Sequence, residues 1–276
     1  MAASALMLAL ALAQPAPEGP PLMVAMLPPR EIGLNFVRYP DGEHYLCSEG
    51  YGDCLRIVRG EDGSAMLELF DMDPAAGPAQ ILAALPAHVG MDDGNDVRVW
   101  DRAIRLPANP DVPGARAYLV GIVRSTPLSY SGGFARAERL HLFQLVVAED
   151  TATLGPELLD VRWNGEVQLR ACFGEEDVQK RREACHDIYR FASSLSLMEN
   201  RRGAYPDLGY SSVATAFPRT AYPTQDSSSA PPLSAEDLVE RRDPECSFQR
   251  TLRYNPATRR YEMDSPAPEC ASYQSL

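Results

Sequence analysis

The sequence predicts a mainly β protein: an antiparallel meander forming a sandwich or barrel, with a propeller-like sheet array as the alternative, one disulfide-flanked helix and a C-terminal β-hairpin. Three observations predict it. Short β-prone runs recur at close spacing between turn signals. Six cysteines fall into three sequence-local pairs. No repeat of blade length is convincing, the nearest echo being "EDGSAMLELF" against "DDGNDVRVW", so the propeller stays second.

In chain order, "MAASALMLALALA" is apolar and uncharged and too short to span a bilayer. Ala11 and Ala13 supply the small residues a signal peptidase reads, so residues 1–13 are expected to be a signal peptide cleaved before Gln14, although no Lys or Arg precedes the apolar run. Residues 14–30 form a Pro-rich N-terminal segment, and 31–216 the main β domain. Within that domain "CLRIVRG" and "AMLELFD" flank Glu61-Asp62-Gly63-Ser64, and an Asp-Gly between two alternating runs signals a hairpin. "DVRVWDRAIRL", "ARAYLVGIVRS", "ERLHLFQLVVA", "ELLDVRW" and "EVQLRACF" are further strands, with Asn164-Gly165 as the turn between the last two. The continuous apolar stretches "YLVGIV" and "FQLVV" suit central strands covered on both faces.

From Glu175 to about Asp187 the charges read as a helix. Glu175, Glu176 and Asp177 precede Lys180, Arg181 and Arg182, which suits the helix dipole. Glu176 with Lys180 and Asp177 with Arg181 are i,i+4 pairs. Val178, Cys185 and Ile188 then share a face, which turns Cys185 inward toward Cys172. Residues 217–234 are a Pro/Ser-rich linker or surface loop, and 235–276 a short helix plus a disulfide-closed hairpin. The helix begins after Ser234, with Asp237 three residues on, close to a capping box. The hairpin strands are "FQRTLRY" and "RRYEM" around Asn255-Pro256.

After a signal peptide, an even number of cysteines reads as disulfides. Six allow fifteen connectivities, and neighbour pairing is the economical one: Cys47 with Cys54, Cys172 with Cys185, Cys246 with Cys270. No C-x2-C spacing occurs, which disfavours zinc. The 38 acidic and 26 basic side chains leave a net charge of −12, so nucleic acid and anionic lipid are poor partners. Lys180 is the one lysine against many arginines, a composition that fits a GC-rich bacterial genome.

Four groups carry candidate chemistry. Cys185 and His186 are adjacent on the expected helix and point about 100° apart, the wrong relation for a nucleophile and its base. Glu183 and His186 form a single E-x-x-H, where a carboxylate-bridged metal centre needs the motif twice. Asp92, Asp93, Asn95 and Asp96 crowd oxygen ligands around Gly94, a calcium-like turn that lacks the spacing and closing glutamate of the twelve-residue loop. "SYSGGF" sets Ser131 beside two glycines without the nucleophile-elbow pattern, so Tyr130, Ser131 and Phe134 read as a ligand-contacting loop. His141 reads as a strand residue. The expectation is an exported, non-catalytic β protein without cofactor, a periplasmic binding or envelope-interaction module for a protein or envelope ligand, not inserted in the membrane once cleaved. A periplasmic hydrolase with a dispersed site and a calcium-stabilised structural β domain are the alternatives.

Overall fold

The computed structural model describes residues 21–27, 46–48, 53–61, 63–71, 80–90, 96–107, 114–148, 151–202, 205–222, 225 and 227–273. The expected signal peptide, most of the Pro-rich segment, and Asp92, Asp93 and Asn95 lie outside them.

Five strands come from the first part of the chain: β1 (Leu22–Leu27), β2 (Leu46–Ser48), β3 (Cys54–Arg59), β4 (Ser64–Asp71) and β5 (Gln80–Gly90). Six long ones follow: β6 (Asp96–Arg105), β7 (Arg116–Tyr130), β8 (Gly133–Ala148), β9 (Thr151–Arg170), β10 (His186–Arg202) and β11 (Tyr205–Phe217). The helix α1 (Glu175–Lys180) sits between β9 and β10, and β12 (Arg241–Asp243), β13 (Gln249–Asn255) and β14 (Arg260–Met263) end the chain. All pairings are antiparallel and join these fourteen strands into one sheet that does not close, in the order β14-β13-β11-β10-β9-β8-β7-β6-β1-β2-β3-β4-β5, with β12 beside β11. Both ends of the meander, β5 and β14, curl back to pack on β9.

The doubly apolar strands are the centre of the molecule. Alternate residues of β7 serve two cores: Tyr118, Val120 and Ile122 join one cluster with Val24, Leu55 and Leu67, while Leu119 and Val123 join another with Trp163, Leu208 and Tyr261. β8 divides in the same way, Phe143 and Leu145 to the first and Leu140 and Leu142 to the second. Burial on both faces is why these stretches are continuously apolar rather than alternating. A third cluster, Tyr189, Phe191, Ala214 and Ala216 with Tyr273 and the Cys246–Cys270 bridge, seats the C-terminal segment on β10 and β11. Beside the β6–β7 register shift, a Cβ on Gly121 would lie 2.7 Å from Trp100 Cβ and 2.9 Å from Leu140 Cδ1, so only glycine fits against Trp100 there.

Two expectations are corrected. Asn164-Gly165 is not a turn: the two expected strands are one twenty-residue strand, β9. The pairing steps from Ala137↔Gly165 to Arg139↔Arg162, so one residue of β8 spans two of β9, a bulge. Asn164 Nδ2 donates to Glu138 Oε2 at 2.7 Å across it. An Asn-Gly is compatible with a bulge as well as with a turn, and on the other side Asn164 and Gly165 pair with Ala192 and Phe191 of β10, so the chain continues as a strand. The second correction concerns the helix, which stops at Lys180 instead of reaching Asp187. Arg182 and Glu183 take positive φ (51° and 70°), which ends it. Val178, Cys185 and Ile188 therefore share no helical face, and Ile188 belongs to β10. Of the two expected ion pairs Glu176–Lys180 forms (2.7 Å), whereas Arg181 turns inward to Asp187 and Asp177 Oδ2 accepts the Phe173 amide (2.9 Å).

The stretch 217–234 packs Ala221 and Leu233 into the molecule, and the Leu233 amide donates to the Lys180 carbonyl at 2.8 Å. After it, Ser234 and Asp237 form the capping box, over a single 3-10 turn, Ala235–Asp237.

Candidate functional site

The three local cysteine pairs are bonded. Cys47 and Cys54 are direct cross-strand partners on β2 and β3 with Cα atoms 3.9 Å apart, Cys172–Cys185 spans 4.9 Å, and Cys246–Cys270 spans 5.9 Å. Asp96, the described member of the acidic turn, opens β6 and lines a cleft of ≈ 590 Å³ between β3 and β6 with Arg59, Arg98 and Asp101. Ser131 and Gly132 are the two-residue turn of the β7–β8 hairpin: Tyr130 pairs with Gly133, Ser131 is exposed and Phe134 half-buried. His186 pairs with Arg170, whose amide donates to Gly132 at 2.8 Å, so one strand separates this histidine from the serine turn. That is about 10 Å of sheet, too far for a direct hydrogen bond. Glu183 sits outside the helix, so it and His186 are not stacked as an i,i+3 pair.

Two features of the described residues are not announced by local sequence. The first is a polar cluster on β8 and β9. His141 is buried, and its Nδ1 lies 2.7 Å from Glu157 Oε2 and 3.7 Å from Asp160 Oδ1. Residues three apart on a regular strand face opposite ways. Here the pairing jumps from Leu142↔Leu159 to Phe143↔Glu157, and this second bulge turns Glu157 and Asp160 toward the same imidazole. Arg260 on β14 binds Glu157 Oε1 (2.5 Å), and Arg139 Nε donates to Asp160 Oδ1 (2.7 Å). Partial burial would raise the Glu157 carboxyl, but the hydrogen bond from His141 and the charge of Arg260 outweigh it and hold the group below its ordinary range.

The second feature is the outer face of β10 and β11. Ile188, Arg190, Ala192, Ser194, Ser196 and Met198 point outward on β10, opposite Phe217, Thr215, Val213, Ser211 and Gly209 on β11. The face continues sideways through Gln168 and Glu166 of β9 to Phe134 and Arg136 of β8, and through Gln249 and Thr251 on β13. Phe134, the aromatic of the expected ligand-contacting loop, is thereby set in one row with Ile188 and Phe217. Between Arg190 and Met198 the outward positions of both strands carry no charge, in a chain that is 23% charged. A shallow groove of ≈ 310 Å³ closes the far end, between Ser196, Met198, Gly209 and Thr251, with Arg250 and Asp264 at its rim.

Comparison with known proteins gives no match: no family model fits the chain, and neither a curated protein nor a solved structure is significantly similar to it.

Proposed function

We propose that this protein is an exported, non-catalytic binding module of the bacterial cell envelope, and that it engages its ligand through the outer face of β10 and β11. The observation that carries this reading is the uncharged, small-residue surface from Ala192 to Met198 and from Gly209 to Val213, framed by Phe134, Ile188 and Phe217 at one end. A sheet surface without charge and, apart from Met198, without long side chains loses little hydration and little side-chain entropy when covered. Three disulfides are consistent with an oxidising compartment, and among the described residues no helix is long and apolar enough to cross a membrane. The periplasm is the compartment that fits this together with the apolar start of the chain.

Co-sedimentation with purified envelopes of a Gram-negative bacterium tests the reading. The protein is expected to sediment with them, and the double variant Ser196→Glu/Val213→Glu is expected to stay in solution with unchanged melting, since both positions face outward. Equal sedimentation of the two proteins, or none of either, removes the proposal.

A further inference from the structure

We infer that His141, Glu157 and Asp160 form a binding site for a divalent transition cation, with zinc as its best-fitting member. One ligand atom from each residue lies within 4.8 Å of the others. One imidazole nitrogen with two carboxylates is a donor set that borderline cations such as zinc accept, whereas calcium prefers oxygen alone. The bulge at Leu158-Leu159 breaks the regular ladder so that two carboxylates, not one, face the imidazole.

His141 supports the assignment independently. Its ring is buried and its Nε2 has no hydrogen-bond partner, so every polar contact the imidazole makes is on the Nδ1 side, toward the two carboxylates. An apolar side chain would fill the space at lower cost. The carboxylates are about 30% exposed at their side chains, which leaves a route from solvent to a floor formed by His141 at 10%.

Two guanidiniums compete for the same oxygens. Arg139 and Arg260 are 45% and 49% exposed at their side chains, and ion pairs that open to water contribute little, so they can be drawn aside. Glu157 Oε1 can also keep Arg260 while Oε2 turns to the cation. A cation on Nδ1 takes up that nitrogen's lone pair and replaces its hydrogen bond to Glu157. These competitors make the site an exchangeable one rather than a permanently filled structural centre.

Zinc titration by calorimetry, on untagged protein with its disulfides formed, tests the assignment. All six cysteines are bonded, so no thiol competes. We expect one saturable site, a melting temperature raised by zinc and restored by chelator, and no comparable response to calcium. Asp160→Asn and Glu157→Gln, both at partly exposed positions, are each expected to weaken zinc binding about tenfold or more. Cobalt bound in place of zinc should show a visible d–d absorption that both variants lose. Absence of saturable zinc binding below about 1 mM overturns the site. So does binding that both variants leave unchanged, which would move the ion to another histidine such as His186.

Discussion

Arg181 and Asp187 are the most deeply buried ion pair among the described residues, with 7% and 4% of their side chains exposed. The arginine also donates to the Ala184 carbonyl (2.9 Å), and Ser227 caps the other carboxylate oxygen. Removing one partner strands the other's charge in a poorly hydrated place, so Arg181→Ala should lower stability by about 3–5 kcal/mol in a denaturant titration. Glu176→Ala, which breaks an ion pair in open water on the same helix, should leave the midpoint unmoved. Equal losses in the two variants would show that the burial of the first pair has no energetic consequence. Asp243 gives a pH-dependent counterpart. Burial would raise its carboxyl, but the hydrogen bond from Tyr273 (2.6 Å) and those from the Cys246 and Glu245 amides prevail and hold it below its ordinary 3.8. A carboxylate depressed in the folded state contributes stability above its unfolded value, and that stability is lost as the pH falls through the folded one. Asp243→Asn should therefore lower melting at pH 7 and narrow the gap between melting at pH 7 and pH 3. An unchanged gap would remove Asp243 from the acid response.

At the scale of elements, the Cys172–Cys185 bridge and α1 belong together. No residue of α1 is buried, so the helix is held by the disulfide beside it, by Arg181 and by the Leu233 amide on its last carbonyl. The bridge closes a loop of 13 residues' separation, and replacing both cysteines by alanine should cost about 3 kcal/mol on the chain-entropy account. His186→Ala, at an exposed position, should stay within about 0.5 kcal/mol of the parent protein. A midpoint unchanged by loss of the bridge would mean that the reduced, unfolded loop is already compact. The start of this helix is legible in the sequence because three acidic residues mark it. Its end is not, because Arg182 and Glu183 take a positive φ that their residue types do not announce. The strands β3, β4 and β6 to β8 are legible from turn chemistry and apolar pattern, whereas β5 is not among the expected strands. Asn164-Gly165 misleads because an amide that satisfies a turn also satisfies Glu138 across a bulge. The His141 cluster is invisible for the same reason: Glu157 and Asp160 reach one face through a register shift that no periodicity encodes. The outer face of β10 and β11 is not among the expectations: alternation in "FASSLSLM" separates Phe191 and Leu195 from the outward serines, but neither strand is expected, and the opposing residues of β11 follow from the pairing alone.

For the whole molecule, β7 and β8 decide how it unfolds. The strand order suggests two bodies, β1 to β5 around one cluster and β9 to β14 around another, joined by the short β1–β6 ladder from Leu22 to Ala25 and by the packing of β5 on β9. The two clusters nonetheless share the same backbone, because Leu142 and Phe143 are consecutive residues of β8 that point into different ones. Melting either cluster uncovers one face of these strands to water while the other still needs them flat, and the cost of that exposure couples the two halves. We therefore expect a single cooperative transition. Leu142→Ala and Phe143→Ala should each lower that one transition by about 2–5 kcal/mol, as large-to-small changes at fully buried sites do. Differential scanning calorimetry with near-UV circular dichroism on the two variants separates the possibilities. Should Phe143→Ala split the melt in two and leave the upper step where the parent protein melts, the halves are independent domains, and β7 and β8 form a seam between them rather than a common core.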